Sequence, residues 1–256
     1  GGGQSLIPYQ NDLLLNLVTD ALVIVGGIGF MVILDVGRCR GQFRRMTFHT
    51  KVVLSTTAVL LVGGAVLLQL TDHMGWLAAF FQSMTARTAG FSSVDLGSMS
   101  NAGLLVIMIL MFIGASPGST GGGIKTTTAA LLILSAHQVL FQKPECVIFG
   151  RRIDQETIHR AFAITTLSII WIFLAIIGIT YLEETSLVEA LFEVVSAYAT
   201  VGLSSGLSQH LTAGGKIIMI LSMYAGRVGI MTFVMALTAR RREALIRYPE
   251  EKIIIG

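Results

Sequence analysis

Two short clusters of small and hydroxyl residues are the parts of this sequence best suited to chemistry. Each carries one central glycine, and they read Thr88-Ala89-Gly90-Phe91 and Thr200-Val201-Gly202-Leu203. A glycine permits backbone dihedrals that turn successive carbonyl oxygens towards a common axis. A ring of backbone carbonyls can replace the hydration shell of an alkali cation. The clusters therefore predict an ion-binding filter, with potassium held by main-chain oxygens, and no catalytic residues.

The two clusters are similar to the potassium-filter sequence TVGYG and keep its first glycine. One such match is weak evidence, because apolar helices contain it by chance. Its weight comes from its repetition at the same place in two similar stretches of chain. The alternative is that Gly90 and Gly202 are C-caps of buried core helices.

A short apolar run precedes each cluster, at residues 76–84 and 187–197. Each run has about 10 residues, so as a helix it would cross only half of a bilayer. Such half-helices direct the negative ends of their dipoles towards the bilayer centre, where a cation is favoured. We expect both runs to enter the membrane and return. Ordinary buried core helices are the alternative.

The composition indicates a membrane protein. Of the 256 residues, 53% are hydrophobic and only 13% are charged, and the mean hydropathy is +0.75. Too few charges are present to cover the surface of a soluble fold, which excludes most soluble enzymes. We predict an all-α polytopic membrane protein, and the two filter-like clusters indicate a potassium-channel-like architecture. Four stretches are apolar and long enough to span, and a fifth at 104–140 is interrupted; the four are 13–36, 52–70, 161–181 and 217–239.

The basic residues predict the orientation. Fourteen of the 18 Lys and Arg residues lie in three segments, 38–51, 143–160 and the tail from residue 240. If the two short runs return to the side they left, all three segments fall on one side. The excess of positive charge marks that side as cytoplasmic, so the C-terminus is predicted to be cytoplasmic.

Spacing of glycines reveals an internal repeat. Gly114 follows Gly90 by 24 positions, and Gly226 follows Gly202 by the same number. The chain therefore divides into the end of a second repeat at 1–51, a third repeat at 52–159, a fourth repeat at 160–239 and a tail at 240–256. The glycines Gly1 to Gly3 would be a remnant of the second repeat's filter. We expect the first repeat and the start of the second to precede the sequence given.

The interruption at 114–125 is rich in glycine. Its candidate gating residues are Gly114, Ser116, Pro117, Gly118, Gly121, Gly122, Gly123 and Lys125. A phosphate-binding loop is one alternative, but Ile124 separates the last glycine from the lysine and no strand precedes. A simple kink that eases helix packing is another. We favour a flexible intramembrane gate whose glycines keep the backbone mobile.

Arg227 lies in the middle of the last apolar stretch. An arginine facing lipid there would cost about 2.5–3.5 kcal/mol. We therefore expect it to face the ion path and pace the passage of cations. A structural ion pair or a carbonyl cap is the alternative.

Several longer strings carry a family resemblance. They are TARTAGF, GASPGSTGGGIKTTT, SAYATVGLSSGL, YAGRVG and RYPEEKIIIG. They resemble the membrane subunit of Ktr-type bacterial potassium uptake systems, a group that belongs with the Trk and HKT transporters. The resemblance implies four helix–pore loop–helix units around one pore. It also implies a gating loop at 114–125, with Lys125 at its end and Arg227 beneath the filter.

Partners and location also follow from the resemblance. It implies a homodimer in the bacterial plasma membrane and a cytosolic ring of nucleotide-binding regulatory subunits. No resident cofactor and no nucleic acid is expected, although sodium dependence stays open. Two alternatives remain: a less selective transporter that also passes sodium, and a nucleotide-driven pump that uses residues 114–126.

Overall fold

The computed structural model describes residues 5–142 and 145–237. Within these ranges the chain forms ten α-helices and one small hairpin. The helices are α1 (Leu13–Ile28), α2 (Phe30–Arg38), α3 (Phe48–Asp72), α4 (Trp76–Thr85), α5 (Asn101–Phe112), α6 (Thr126–Leu140), α7 (Gln155–Leu182), α8 (Leu187–Tyr198), α9 (Ala213–Val228) and α10 (Ile230–Leu237). The antiparallel strands of the hairpin are β1 (Val147–Ile148) and β2 (Arg151–Arg152).

Side-chain caps fix where many of these apolar runs become helical. A polar side chain just before the helix accepts a hydrogen bond from an otherwise unpaired backbone N–H of the first turn. This occurs at Asp12, Thr47, Ser100, Ser186 and Thr212, which begin α1, α3, α5, α8 and α9.

Two helices are long and apolar enough to cross a membrane by themselves. They are α3 and α7, which contain the predicted spans 52–70 and 161–181. A third span results if α1 and α2 count as one bent helix, because they meet at 97°. The predicted short helices before the two clusters and the interruption of the 104–140 stretch are also confirmed, by α4, α8 and the gap between α5 and α6.

The other two predicted spans, 13–36 and 217–239, are wrong as continuous helices. The first is broken at Gly29, where φ is 95°, and the second at Gly229, where φ is 93°. A positive φ is incompatible with the right-handed helix, so each glycine ends one helix and starts another. Residues 1–4 and 238–256 lie outside the described ranges, and with them the Gly1 to Gly3 remnant and the tail at 240–256.

The segments between α3 and α5 and between α7 and α9 each leave and return at one end of the molecule. Asp72 at the end of α3 accepts a hydrogen bond of 2.7 Å from the backbone N–H of Ser100, at the start of α5. Glu183, just after α7, accepts bonds of 2.9 and 2.7 Å from the N–H and hydroxyl of Thr212, at the start of α9. The short helices α4 and α8 therefore lie inside segments that double back.

The short helices occupy the middle of the core. Phe81 of α4 and Phe192 of α8 are completely buried. Helix α4 packs against α1 and α3, and α8 packs against α5, α7 and α9. Helices α1 and α5 thus follow one pattern, because each packs against the next short helix along the chain: α1 against α4, and α5 against α8.

Candidate functional site

The 88–91 cluster and the 200–203 cluster share an unusual backbone. Thr88 and Thr200 have φ of 76° and 54°, and Gly90 and Gly202 have φ of 78° and 93°. Successive carbonyls of a regular strand point in opposite directions. A left-handed residue at every second position can turn them to the same side. Threonine adopts this conformation only at a cost of about 1–2 kcal/mol, so the surrounding structure must enforce it.

The two clusters lie against each other. A Cβ added to Gly90 would overlap with the carbonyl oxygen of Val201, and one added to Gly202 would lie 3.9 Å from the Cα of Gly90. The start of the described chain lies beside the first cluster, because Ser5 Oγ accepts a 2.9 Å hydrogen bond from the N–H of Ser92, the residue after that cluster.

Polar side chains of the short helices hold the chain that follows each cluster. Thr85 Oγ1 donates to the carbonyl of Phe91 at 2.6 Å, and Ser196 Oγ donates to the carbonyl of Leu203 at 2.6 Å. One turn earlier, Gln82 donates from Nε2 to Ser92 Oγ at 2.8 Å.

Glu193 takes the matching position in the second segment. Its Oε1 accepts a 2.9 Å hydrogen bond from Ser205 N–H and a bond from Ser204 Oγ. Glu193 is 3% exposed. These supporting residues were not predicted from the sequence.

The sequence does contain a signal for them, which is an equal spacing of polar residues inside the two apolar helices. Gln82 and Glu193 are 111 positions apart, and so are Thr85 and Ser196.

Arg87 also supports this region. Its side chain is 7% exposed, and its Nη2 donates to Thr57 Oγ1 at 3.5 Å. The arginine thus connects the end of α4 to α3 instead of facing an open path.

The glycine loop, residues 114–125, passes directly along the two clusters. A Cβ on Gly121 would overlap with Thr88 Oγ1, and one on Gly122 would lie 2.5 Å from Thr200 Oγ1. A Cβ on Gly123 would lie 3.3 Å from the Cβ of Ala199. These glycines are therefore required by close packing, whereas the sequence analysis assigned them to backbone mobility.

One end of the glycine loop is bound to the break between α1 and α2. Ser116 N–H donates to the carbonyl of Gly27 at 3.0 Å, and Phe30 N–H donates to the carbonyl of Gly118 at 3.2 Å. A Cβ on Gly29 would overlap with the carbonyl oxygen of Pro117. The loop and the broken helix therefore hold each other in place.

The other end of the glycine loop is held by two cations. Lys125 Nζ donates to the carbonyl of Gly121 at 2.7 Å, and Arg227 Nη1 donates to the carbonyl of Thr120. Neither side chain has an ion-pair partner within residues 5–142 and 145–237. Two positive charges therefore lie beside the loop with carbonyl partners alone.

The two glycines found by their spacing also lie at close contacts. A Cβ on Gly114 would overlap with the carbonyl oxygen of Gly122, which folds the glycine loop back on itself. A Cβ on Gly226 would overlap with the carbonyl oxygen of Tyr198, where α9 crosses the end of α8. The structure therefore brings the two clusters, the glycine loop and Arg227 close to one another.

Comparison with known proteins identifies the family. The family described as TrkH, cation transport protein, matches residues 2–244. The potassium/sodium uptake protein NtpJ of Enterococcus hirae is 42% identical over 99% of this chain and 60% of its own length. The Ktr system potassium uptake protein B of Vibrio alginolyticus is 41% identical over 98% of this chain and 58% of its own length.

A solved structure shares the fold. The potassium transporter TrkH from Vibrio parahaemolyticus superposes with a TM-score of 0.69 at 18% identity, over 87% of this chain and 51% of the other. The chain thus spans about three fifths of the curated relatives it matches and half of this structure. Together with its apolar helices, these matches show that the chain is a membrane-integral member of the TrkH cation transport protein family.

Proposed function

We propose that this chain is the greater part of a potassium uptake subunit whose filter is built from the carbonyls of residues 88–91 and 200–203. The observation that carries the proposal is the contact of Gly90 with Val201, between two segments with the same left-handed positions. Equivalent backbones in contact can present carbonyls to one ion. Helices α4 and α8 end beside them, with dipoles that favour a cation.

The pore needs a further unit to close. Helix α1 packs on α4, and α5 packs on α8. If this pattern continues, the short helix of another unit should pack against α9. A groove of about 530 Å³ lies between α9 and the 200–203 cluster, lined by Lys216, Ile220 and Met223 among others. We assign this groove to a unit that corresponds to the additional length of the relatives' chains.

The glycine loop acts as the gate of this pore. It lies against Thr88 and Thr200 at one side of the filter. Lys125 and Arg227 fix its carbonyls and add positive charge to the exit path. An arriving cation is repelled until the loop and these side chains withdraw.

The assembly follows the relatives. The name of the Vibrio alginolyticus protein places it in a Ktr system. We accordingly assign this chain to a homodimer in the bacterial plasma membrane, with its C-terminus in the cytoplasm and a cytosolic nucleotide-binding regulatory ring as partner.

A second candidate function is transport of sodium together with potassium. It is favoured by one relative, which is called a potassium/sodium uptake protein. Each cluster has one glycine, against two in TVGYG, so its backbone is free to turn fewer carbonyls towards the ion path.

The test is ion uptake by the full-length protein in a bacterium that lacks its own potassium uptake. Growth and rubidium uptake at low potassium support the proposal, and inhibition by equal sodium favours the second candidate. Gly90→Ser should abolish uptake. The matched control is Gly63→Ser, because a Cβ there meets no neighbour within 4 Å. Equal uptake by both variants would contradict the filter.

A further inference from the structure

Two basic segments meet at one end of the molecule, where α2 ends, α3 begins, α6 ends and α7 begins. The rings of Phe43 and Phe149 are 6.0 Å apart in an edge-to-face arrangement with an interplanar angle of 73°. Lys51 Nζ lies 6.0 Å from the centre of the Phe43 ring and donates to the carbonyl of Arg44 at 3.0 Å. The two segments therefore form one surface.

We call this surface the basic aromatic patch. It consists of Phe43, Arg44, Arg45, Lys51, Val147, Phe149 and Arg151. Below it a small apolar cluster anchors the hairpin to the helices, since Cys146, Ile153 and Ile158 are buried with Phe48 and Ile148 against them. The patch is thus held on a fixed support.

The charge of the patch is not balanced by the protein. Among the described residues, the guanidinium groups of Arg44, Arg45 and Arg151 make no hydrogen bond or ion pair, and all three are exposed. Two acids near the patch are already engaged: Glu145 pairs with Arg152 at 2.9 Å, and Asp35 accepts two hydrogen bonds from Thr47. An anionic ligand would therefore find several cations that these acids leave unpaired.

The patch is also apolar. Phe43, Phe149 and Val147 are 43%, 50% and 55% exposed. Apolar surface of this kind beside unpaired cations is typical of an interaction site.

Its position favours lipid over a protein partner. The patch adjoins the first residues of the two spanning helices α3 and α7, which is the depth of phospholipid headgroups. Helix α2 leads into it and runs at 97° to α1. Its side chains Phe30, Met31 and Leu34 are exposed and extend the apolar surface.

We propose that the basic aromatic patch binds an anionic phospholipid. Arg44, Arg45 and Arg151 contact the phosphate of the headgroup, and Phe43 and Phe149 lie against the glycerol and upper acyl chains. Basic residues next to spanning helices recognise anionic headgroups in this way. The binding needs no ion transport, so it is tested apart from the proposed function.

The first experiment counts bound lipid. The full-length protein is purified in detergent with phosphatidylglycerol and phosphatidylcholine, and retained lipids are measured by native mass spectrometry. Arg44→Gln/Arg45→Gln should lower phosphatidylglycerol retention by roughly fivefold or more. The control, Lys216→Gln, removes an exposed cation near the start of α9, beside the opposite end of α7 from the patch, and should retain it. Equal retention in all three proteins would overturn the proposal.

The second experiment locates the lipid. Phe149→Trp is compared with Val59→Trp, on the exposed side of α3, in vesicles that contain brominated phosphatidylglycerol or brominated phosphatidylcholine. Stronger quenching by phosphatidylglycerol is expected at 149 and equal quenching by both lipids at 59. Equal quenching at 149, or none from either lipid, would show that the patch faces neutral lipid, water or protein, and would overturn the proposal.

Discussion

At the scale of single residues, left-handed threonines mark the site more clearly than its glycines do. Gly occurs 28 times in the chain, and several have positive φ at ordinary turns. Among the described residues only a few others have positive φ, and Thr88 and Thr200 are the pair in matching positions. Because a β-branched residue resists this conformation, the strain must be maintained by the contacts around the clusters.

The two cluster glycines should differ in their tolerance of alanine. Both need positive φ, which costs alanine about 1–2 kcal/mol. Only at Gly90 would the new methyl group also overlap with a neighbouring carbonyl, that of Val201; at Gly202 the nearest atom is 3.9 Å away. Gly90→Ala should therefore lose uptake and lower Tm more than Gly202→Ala. The measurement is rubidium uptake and thermal unfolding of both variants, and a larger effect at Gly202 would contradict the packing described.

Glu193 should stabilise the chain that follows the second cluster. Glu193→Ala would leave the partly buried N–H of Ser205 without its partner, at a cost of about 1 kcal/mol. Thermal unfolding in detergent measures the loss. Glu184→Ala is the control, because Glu184 is exposed before α8 and its side chain makes no hydrogen bond or ion pair among the described residues. Equal shifts of Tm for the two variants would argue against a supporting role for Glu193.

At the scale of elements, breaks in the inner helices occur together. The glycine loop lies between α5 and α6, and hydrogen bonds connect it to the break at Gly29 and to Arg227, two residues before the break at Gly229. A movement of the loop therefore has to change contacts with two neighbouring helices. The glycine loop is therefore fixed at two places, at the break between α1 and α2 and at Arg227 of α9.

Two substitutions of Arg227 distinguish the effect of its positive charge from that of its hydrogen bond to the glycine loop. Arg227→Gln keeps a side-chain donor for the carbonyl of Thr120 but removes the charge, whereas Arg227→Ala removes both. If the charge paces the ions, both variants should raise rubidium flux to a similar extent. If the hydrogen bond to Thr120 limits the flux, only Arg227→Ala should raise it. Flux is measured at equal amounts of folded protein, and loss of folded protein in both variants would reduce Arg227 to a structural role.

Deletion of the glycine loop tests its role as a gate. Shortening residues 114–123 should raise the maximal rate of uptake, since it removes the segment that lies against Thr88 and Thr200. Uptake is compared at equal expression. An unchanged rate would mean that the loop does not limit the flow of ions.

At the scale of the whole molecule, α1 packs against the short helix α4, and α5 packs against the short helix α8. A groove borders α9. Ile220 and Met223 in this groove are 62% and 47% exposed. Apolar side chains here are suited either to a further unit or to lipid.

Cysteine labelling distinguishes these two environments. In the full-length protein without its natural cysteines, Ile220→Cys should be protected from a lipid-soluble maleimide by the additional unit. Ile217→Cys, equally exposed but outside the lining of the groove, should react. Equal labelling of the two positions would show that the groove faces lipid.

Much of this architecture could be predicted from the sequence. The half-length runs before the clusters are visible because helix length is read directly from apolar stretches. The family resemblance is carried by contiguous strings. The breaks at Gly29 and Gly229 could not be found this way, since a glycine in an apolar run looks the same whether its φ is negative or positive. At Gly29 the close neighbour is the carbonyl oxygen of Pro117, which is distant in the sequence.

By itself, the sequence determined the membrane class, the two short helices and the residues of both clusters, because these depend on local composition and period. Only the tertiary structure decided that Gly90 meets Val201 and that Gly121 and Gly122 pack against two threonines. It also decided that Lys125 and Arg227 hold adjacent carbonyls. Contacts between residues a hundred positions apart depend on how helices pack, and no local pattern encodes that packing.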